Sequence, residues 1–367
     1  MKIFVFGSSL TSSYWNGAAT YYRGIYKNLH RLGHEITFAE PDIYGRQQKR
    51  DAGAIDYAHV EVYNSPADLE RMLAEACRTE LIVKHSGIGA DDEFLETALP
   101  RCRSEWRKIA FWDVDAPATL ARVEAKSDDP FGAEIPNYDH IFTYGGGSPV
   151  IEHYLRLGAR NCLPIYNALD PETHYPVSPD PAFACDLLFV GHRLPDRERR
   201  VQEFFFKAAE LAPEMGFLLG GEGWGDYALP KNVRWLGHIG IADHNRANCS
   251  TRMVLNINRE SMAEVGFSPP TRVFEAAGAA ACVITDAWPG VNQFFTPGRE
   301  ILVVSSAREI VSLLRKVTPE QAFRIGTAMR HRAVRDHTYR LRALRFDAAL
   351  RATSTDSDLM PMGQCQL

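Results

Sequence analysis

The chain is poor in the features that mark several large classes of protein. No apolar run approaches the roughly 20 residues that a membrane-crossing helix needs, and the opening Met1-Lys-Ile-Phe-Val-Phe-Gly7 is too short for a secretory leader. Cysteine is sparse and irregular, with seven thiols at 77, 102, 162, 185, 249, 282 and 365 and no Cys-x-x-Cys pair. That spacing offers neither a zinc ligand set nor a disulfide framework. It suits a reducing compartment, so a cytoplasmic location is expected. Basic excess is missing too: the formal net charge is −5, which argues against nucleic acid as the main partner. There is no Gly-x-Gly-x-x-Gly fingerprint, no Walker loop, no Ser/His/Asp nucleophile elbow and no repeat of 20–50 residues.

What remains is an ordinary globular composition, 45% apolar and 24% charged, in 367 residues. That is enough chain for two domains with separate cores. Residues 2–6 read as a buried strand, followed by the long polar turn Gly7-Ser-Ser-Leu-Thr-Ser-Ser-Tyr-Trp-Asn-Gly17. Tyr22, Ile25, Leu29 and Leu32 then recur at helical spacing, Gly33 ends the helix, and Glu35–Ala39 is the next strand. Strand, turn, helix and strand make a βαβ unit, hence a parallel sheet. Further strands end at His85, at Trp112 before Asp113-Val-Asp115, and at Tyr144 before the turn Gly145-Gly-Gly-Ser-Pro149. Ligands of open α/β sheets sit at the carboxyl ends of strands, so His85, Asp113, Asp115 and Tyr144 are candidates. On an extended strand Asp113 and Asp115 would point the same way. Two such carboxylates also suit a metal, but no third ligand accompanies them, and no metal or cofactor is expected.

Residues 161–166 close the first half. Four prolines (171, 176, 179 and 181) then give the stretch linker chemistry. The expected layout is a domain over 1–168, a linker over 169–183 and a second βα domain over 184–337. A helix over 338–352 and a flexible tail over 353–367 follow. In the second half Cys185-Asp-Leu-Leu-Phe-Val-Gly-His-Arg193 sets Gly191 and Arg193 beside a helix start. Backbone N–H groups and a guanidinium fork there suit a diphosphate. Alone, Arg193 reads better as one member of a surface run with Arg197, Arg199 and Arg200. Arg259 and Arg272, at other strand and helix ends, make three separated arginines that can converge on one phosphate pair.

The densest stretch is Gly266-Phe-Ser-Pro-Pro-Thr-Arg-Val-Phe-Glu-Ala-Ala-Gly278, continuing to Asp286. A polar loop with Ser268 opens into a small-residue helix, and Pro269 and Pro270 are expected in its first turn. Arg272 and Glu275, three apart, share a helical face. One can meet phosphate and the other two ribose hydroxyls; a surface ion pair is the bland alternative.

This stretch resembles the donor-binding signature of GT-B glycosyltransferases. Arg272, Phe274 and Glu275 are similar to the Arg-x-Phe-Glu run of the CgeB-like (spore maturation protein) group. Gly33-His-Glu-Ile-Thr37 and Val233-Arg-Trp-Leu-Gly237 resemble other GT-B segments. The resemblance implies two Rossmann-like domains facing across a cleft, and a C-terminal helix over 338–352 crossing back to the first domain. It implies a metal-independent hexosyltransferase with a nucleotide-diphosphate sugar, UDP-linked, as donor and an unidentified acceptor. Glu275 would take the ribose, and His238 and Ile239 the base. Gly191, Arg193, Arg259, Ser268 and Arg272 would surround the diphosphate. Ser8, Ser9, Asn16, Gly17 and Tyr144 would face the acceptor, with Asp113, His85 or Asp115 assisting its hydroxyl. Many retaining members carry a second Glu eight residues before the ribose Glu; here Phe267 stands there and Glu264 lies eleven before. A nucleotide-sugar epimerase, a phosphorylase or a non-catalytic binding protein on the same fold are the alternatives. Eight arginines against three acids over 320–351 read as a solvated face, with a weak anionic-lipid contact as the alternative.

Overall fold

The computed structural model describes residues 1–351; the expected tail lies outside the described residues. Two all-parallel sheets account for the strands. The first runs β1 (Lys2–Phe6), β2 (Glu35–Pro41), β3 (His59–Tyr63), β4 (Leu81–His85), β5 (Lys108–Asp113), β6 (His140–Thr143) and β7 (Cys162–Pro164). Its spatial order is β3-β2-β1-β4-β5-β6-β7. The second comprises β8 (Cys185–Val190), β9 (Phe217–Gly220), β10 (Val233–Trp235), β11 (Thr251–Asn256), β12 (Val283–Asp286) and β13 (Leu302–Val304), in the order β10-β9-β8-β11-β12-β13. Both orders reverse beside the first strand of their sheet, and that is where α/β folds form a ligand crevice.

The central strands are near-continuous apolar runs because helices cover both faces. Val5 lies between Phe38 and Val83, and Leu188 between Leu218 and Val254. Each sheet accordingly has an apolar cluster on either side. Burying one such Leu or Phe is worth about 1.5–3 kcal/mol.

The sheets are tied together by two chain crossings that pair with each other. Leu169 N donates to His337 O (2.8 Å) and Tyr339 N donates to Leu169 O (3.0 Å). Between them the proline-rich segment is anchored, with Tyr175 N on Asn245 Oδ1 (3.3 Å) and Asp180 N on Ser250 Oγ (2.7 Å). After the second crossing, helix Tyr339–Arg351 returns to the first sheet and packs on helix Ala19–Arg31. Gly24 makes this contact, since a Cβ there would overlap the Tyr339 ring. Phe346 stacks on Trp112 at 4.8 Å. The last helix therefore completes the first core.

Several expectations needed correction. β3 and helix Pro66–Ala76 carry signals the periodicity did not single out; β3 is a half-buried edge strand. Pro269 and Pro270 precede their helix, which starts at Thr271 with Pro270 as its cap residue. In the arginine-rich C-terminal stretch, Arg332 and Arg335 pair with Asp336, and Arg351 with Asp347. Arg330 donates to Gly278 O (3.1 Å), and Arg342 is buried at the crossing. Arg324, Arg335, Arg340, Arg345 and Arg351 are exposed, so most of this stretch is a solvated face, and Arg330 and Arg342 are the ones drawn inward. Among the described residues no helix is long and apolar enough to cross a membrane.

Candidate functional site

A cleft of about 500 Å³ lies between the carboxyl ends of the two sheets. On the C-terminal side its floor is the turn after β8. Gly191 N donates to Gly220 O (2.9 Å) and Gly221 N to Gly237 O (2.7 Å). Gly221 has φ +113°, and a Cβ on it would strike the Gly191 carbonyl. Only glycine permits this approach. The turn brings His238 and Ile239 into the cleft lining and stacks His192 on His238 at 6.4 Å. From the opposite side Trp15 stacks on His192 at 5.5 Å.

The arginines arrange themselves differently from the expected trio. Arg193 is engaged by two carboxylates, Glu198 (2.9 Å) and Asp226 (3.1 Å), and does not line the cleft. Arg197, four residues on and inside helix Pro195–Val201, takes its place. It is 6% exposed, lines the cleft, and has a carbonyl, that of His192, as its hydrogen-bond partner; its Nε has none. Burial, and then the charges of Arg272 and Arg259, push its pKa well below the ordinary arginine value. Arg272 donates to Asn256 Oδ1 (3.1 Å) and Ile257 O (3.0 Å), and burial lowers its pKa as well. Arg259 is set by the loop after β11. There Asn258 N donates to buried Asp286 (3.2 Å), which Arg200 also holds (2.5 Å). Burial opposes the charge of Arg259, but Asp115 (2.7 Å) and Asp196 (2.9 Å) outweigh it and raise its pKa. Three like charges in one cleft, two of them without a carboxylate in hydrogen-bond reach, have the chemistry to hold an anion. At an effective dielectric of about 20, a phosphate charge roughly 4 Å from a guanidinium gains about 4 kcal/mol before desolvation.

Helix Thr271–Gly278 begins at this point with no side-chain cap; Val273 N donates to Pro270 O (3.1 Å), which leaves the N–H groups of Thr271 and Arg272 for the cleft. Arg272 and Glu275 share its cleft-facing side, and Ser268 lines the cleft just before it. Glu275 is buried, with His244 Nδ1 3.8 Å from its Oε2. Glu264 is exposed on helix Glu260–Val265 and is not part of the lining.

On the N-terminal side Ser8, Asn16, Gly17, Tyr144 and Asp115 line the cleft. Ser8 Oγ donates to Asn16 Oδ1 (3.0 Å), and Asn16 Nδ2 donates to the carbonyls of Ser9 and Ser12, so these groups shape the polar turn. Ser9 is buried beneath it and accepts from Ser12 N. His85 and Asp113 sit outside the cleft. His85 is closed among Tyr22, Tyr26 and Trp112, with Nε2 on the Tyr26 hydroxyl (2.5 Å). Burial, then neighbouring Lys84, drives its pKa far down. Asp113 accepts from Ser86 Oγ (2.8 Å), Thr119 Oγ1 (3.0 Å), Asp115 N (2.9 Å) and Tyr154 OH (2.5 Å). Burial raises its pKa against those donors. Both residues therefore fasten strand ends in place. Asp113 and Asp115 do not point together, because the chain turns at Val114 and Asp115 becomes the cap residue of helix Ala116–Ala125. Reasoning from sequence missed Arg197, His192, His244 and Trp15. For Arg197 the one available signal was its place in the basic run 193–200.

Comparison with known proteins bears on this arrangement. Anabaena HepE, solved with UDP and glucose, superposes with a TM-score of 0.68 at 14% identity, over 96% of this chain and 100% of its own. Thermosynechococcus elongatus sucrose-phosphate synthase does so with a TM-score of 0.68 at 16% identity, over 96% and 98%. The fold is the GT-B fold. A Rickettsia africae glycosyltransferase shares it with a TM-score of 0.65 at 11% identity, over 96% and 99%. A family profile described as "Glycosyl transferase-like" matches residues 197–348, the GT-B half that carries Arg197, Arg259, Arg272 and Glu275. Among curated proteins none matches by sequence.

Proposed function

We propose that the protein is a glycosyltransferase that moves a hexose from a nucleotide-diphosphate sugar, UDP-linked, to an acceptor hydroxyl. The observation that carries this reading is the convergence of Arg197, Arg259, Arg272 and Glu275 on one cleft at the strand ends of the second sheet. Structural neighbours solved with UDP or UDP-glucose support the choice of donor. The Arg272-x-Phe274-Glu275 run supports a place in the CgeB-like group.

In this reading Glu275 accepts the two ribose hydroxyls, and the base lies against His238 and Ile239. The diphosphate sits among Gly191, Arg197, Arg259, Arg272 and the open start of helix Thr271–Gly278. As the glycosidic bond to the diphosphate lengthens, negative charge grows on the leaving oxygen. Fixed guanidinium groups stabilise that charge more than they stabilise the bound donor, and that difference is what accelerates the step. The arginines fill the role a divalent cation has in other transferases, so the transfer itself needs no metal. Asp115, half-buried across the cleft with Oδ1 unpartnered, receives or orients the acceptor hydroxyl. Its pairing with Arg259 joins the acceptor and donor sides when the halves are together, which keeps water from the donor. A cytoplasmic location belongs to the same reading.

Isothermal titration with UDP tests the donor half. Saturable binding is expected, weakened at least 100-fold (about 2.7 kcal/mol) in Glu275→Ala. Equal affinity in wild type and variant would remove Glu275 from the site. Acceptor-dependent release of UDP from a UDP-sugar then separates a transferase from an epimerase, which would turn over without acceptor.

A further inference from the structure

Next to the cleft, three side chains from separate parts of the chain meet: His174 from the proline-rich crossing, His244 from helix Ile241–Ser250, and Glu275. One ligand atom from each lies within 4.8 Å of the others, a grouping found once among the described residues. His174 supplies the independent observation. It is 3% exposed, and its Nε2 has no hydrogen-bond partner. Its Nδ1 lies 3.0 Å from Thr173 Oγ1, whose single proton is already directed to Asp170 O at 3.1 Å. With its proton on Asp170 O, Thr173 accepts from His174 Nδ1–H, the tautomer that leaves a bare lone pair on Nε2. In the other tautomer Nε2–H is an unmet donor, so in both the buried nitrogen lacks a partner. A lone pair grouped with a carboxylate and a second imidazole is unfavourable unless a cation or a donor enters.

We propose that His174, His244 and Glu275 form a binding site for a divalent transition-metal ion of the zinc type. Two imidazoles and one carboxylate suit zinc far better than magnesium or calcium, and Thr173 supplies the outer hydrogen bond that orients a ligating histidine. In tetrahedral zinc sites donor atoms stand roughly 3.4 Å apart. The 3.8 Å between His244 Nδ1 and Glu275 Oε2 is therefore closed by a small side-chain movement. His244 and Glu275 line the donor cleft whereas His174 lies behind it, so the ion would be held at the edge of the cleft. The functional consequence rests on Glu275 as the ribose residue: metal and nucleotide compete for one carboxylate, and zinc acts as an inhibitor of donor binding.

The test uses the full chain without a polyhistidine tag, freed of metal by chelation. Zn²⁺ is titrated calorimetrically, and Co²⁺ is followed by its visible absorption. One ion per chain is expected, with affinity at least tenfold lower in both His174→Gln and His244→Gln. The second variant, at the cleft edge, guards against misfolding in the first. Saturating UDP is expected to weaken Zn²⁺ binding at least tenfold, and Mg²⁺ to have no effect on UDP binding. Zn²⁺ affinity unchanged in both variants, or no binding at all, would overturn the site. UDP titrated alone into the chelated protein keeps the two readings apart. UDP binding without zinc binding defeats the metal site and spares the donor site; zinc binding without UDP binding does the reverse. Independent binding of both defeats the competition.

Discussion

Both sheets present their carboxyl strand ends to one cleft, yet the side chains there have opposite chemistry. In the first sheet Asp113 is saturated by Ser86, Thr119, Tyr154 and the Asp115 N–H. His85, bonded to Tyr26 through Nε2 and unpartnered at Nδ1, is closed among aromatic rings, and both are shut away from the cleft. In the second, Arg197 and Arg272 meet mainly carbonyl and amide oxygens and open onto it. A buried polar group with all its partners is part of the scaffold. One with unused capacity beside a cavity is available to a ligand. Residue type at a strand end does not separate the two cases; the partners do.

The sharpest way to break this contrast is at the two aspartates on either side of Val114. Asp115→Asn is expected to lower turnover by about 10²–10⁴-fold with little change in melting temperature. Asp113→Asn should do the opposite: about 3 kcal/mol of stability lost, because four donors converge on its carboxylate. Urea titration and steady-state rates on both variants decide it, and a swap of the two phenotypes would refute the assignment.

The helix that returns to the first sheet offers a second, smaller lever. Gly24→Ala should cost about 1–3 kcal/mol by pressing a methyl group into the Tyr339 ring. Limited proteolysis should then release the last helix before either sheet is cut.

Acid gives a third. Burial, then Lys108, lowers the pKa of His140 to about 4, against about 6.5 in an unfolded chain. The unfolded state thus takes up the proton first, and stability falls as pH drops from about 6.5 towards 4. This histidine alone accounts for about 2 kcal/mol between pH 7 and pH 5. In His140→Gln the pH slope of urea stability should be shallower by that amount; an unchanged slope would mean His140 titrates normally.

Much of the scaffold was legible from the sequence because apolar runs, glycine turns and helical spacing are local signals. The strand at 2–6, the strand ending at His85 and the helix that carries Arg272 and Glu275 all stand where the sequence signals put them. The C-terminal side of the cleft was partly legible, since Gly191, Arg259, Arg272 and Glu275 mark their own elements. What was not legible depends on partners distant in sequence. Arg193 and Arg197 look alike in the chain, and only Glu198 and Asp226 draw the first away. Asp113 and Asp115 look paired until the backbone turns between them. His174, His244 and Glu275 have no spacing at all, being joined by the fold alone.

The central claim is that Arg197, and not Arg193, belongs to the anion site of the second sheet. UDP affinity measured by calorimetry in Arg197→Ala and Arg193→Ala tests it directly. A loss of about 10²-fold or more in the first variant, with a change of no more than about threefold in the second, is the predicted result. Equal losses, or the larger loss in Arg193→Ala, would contradict the account.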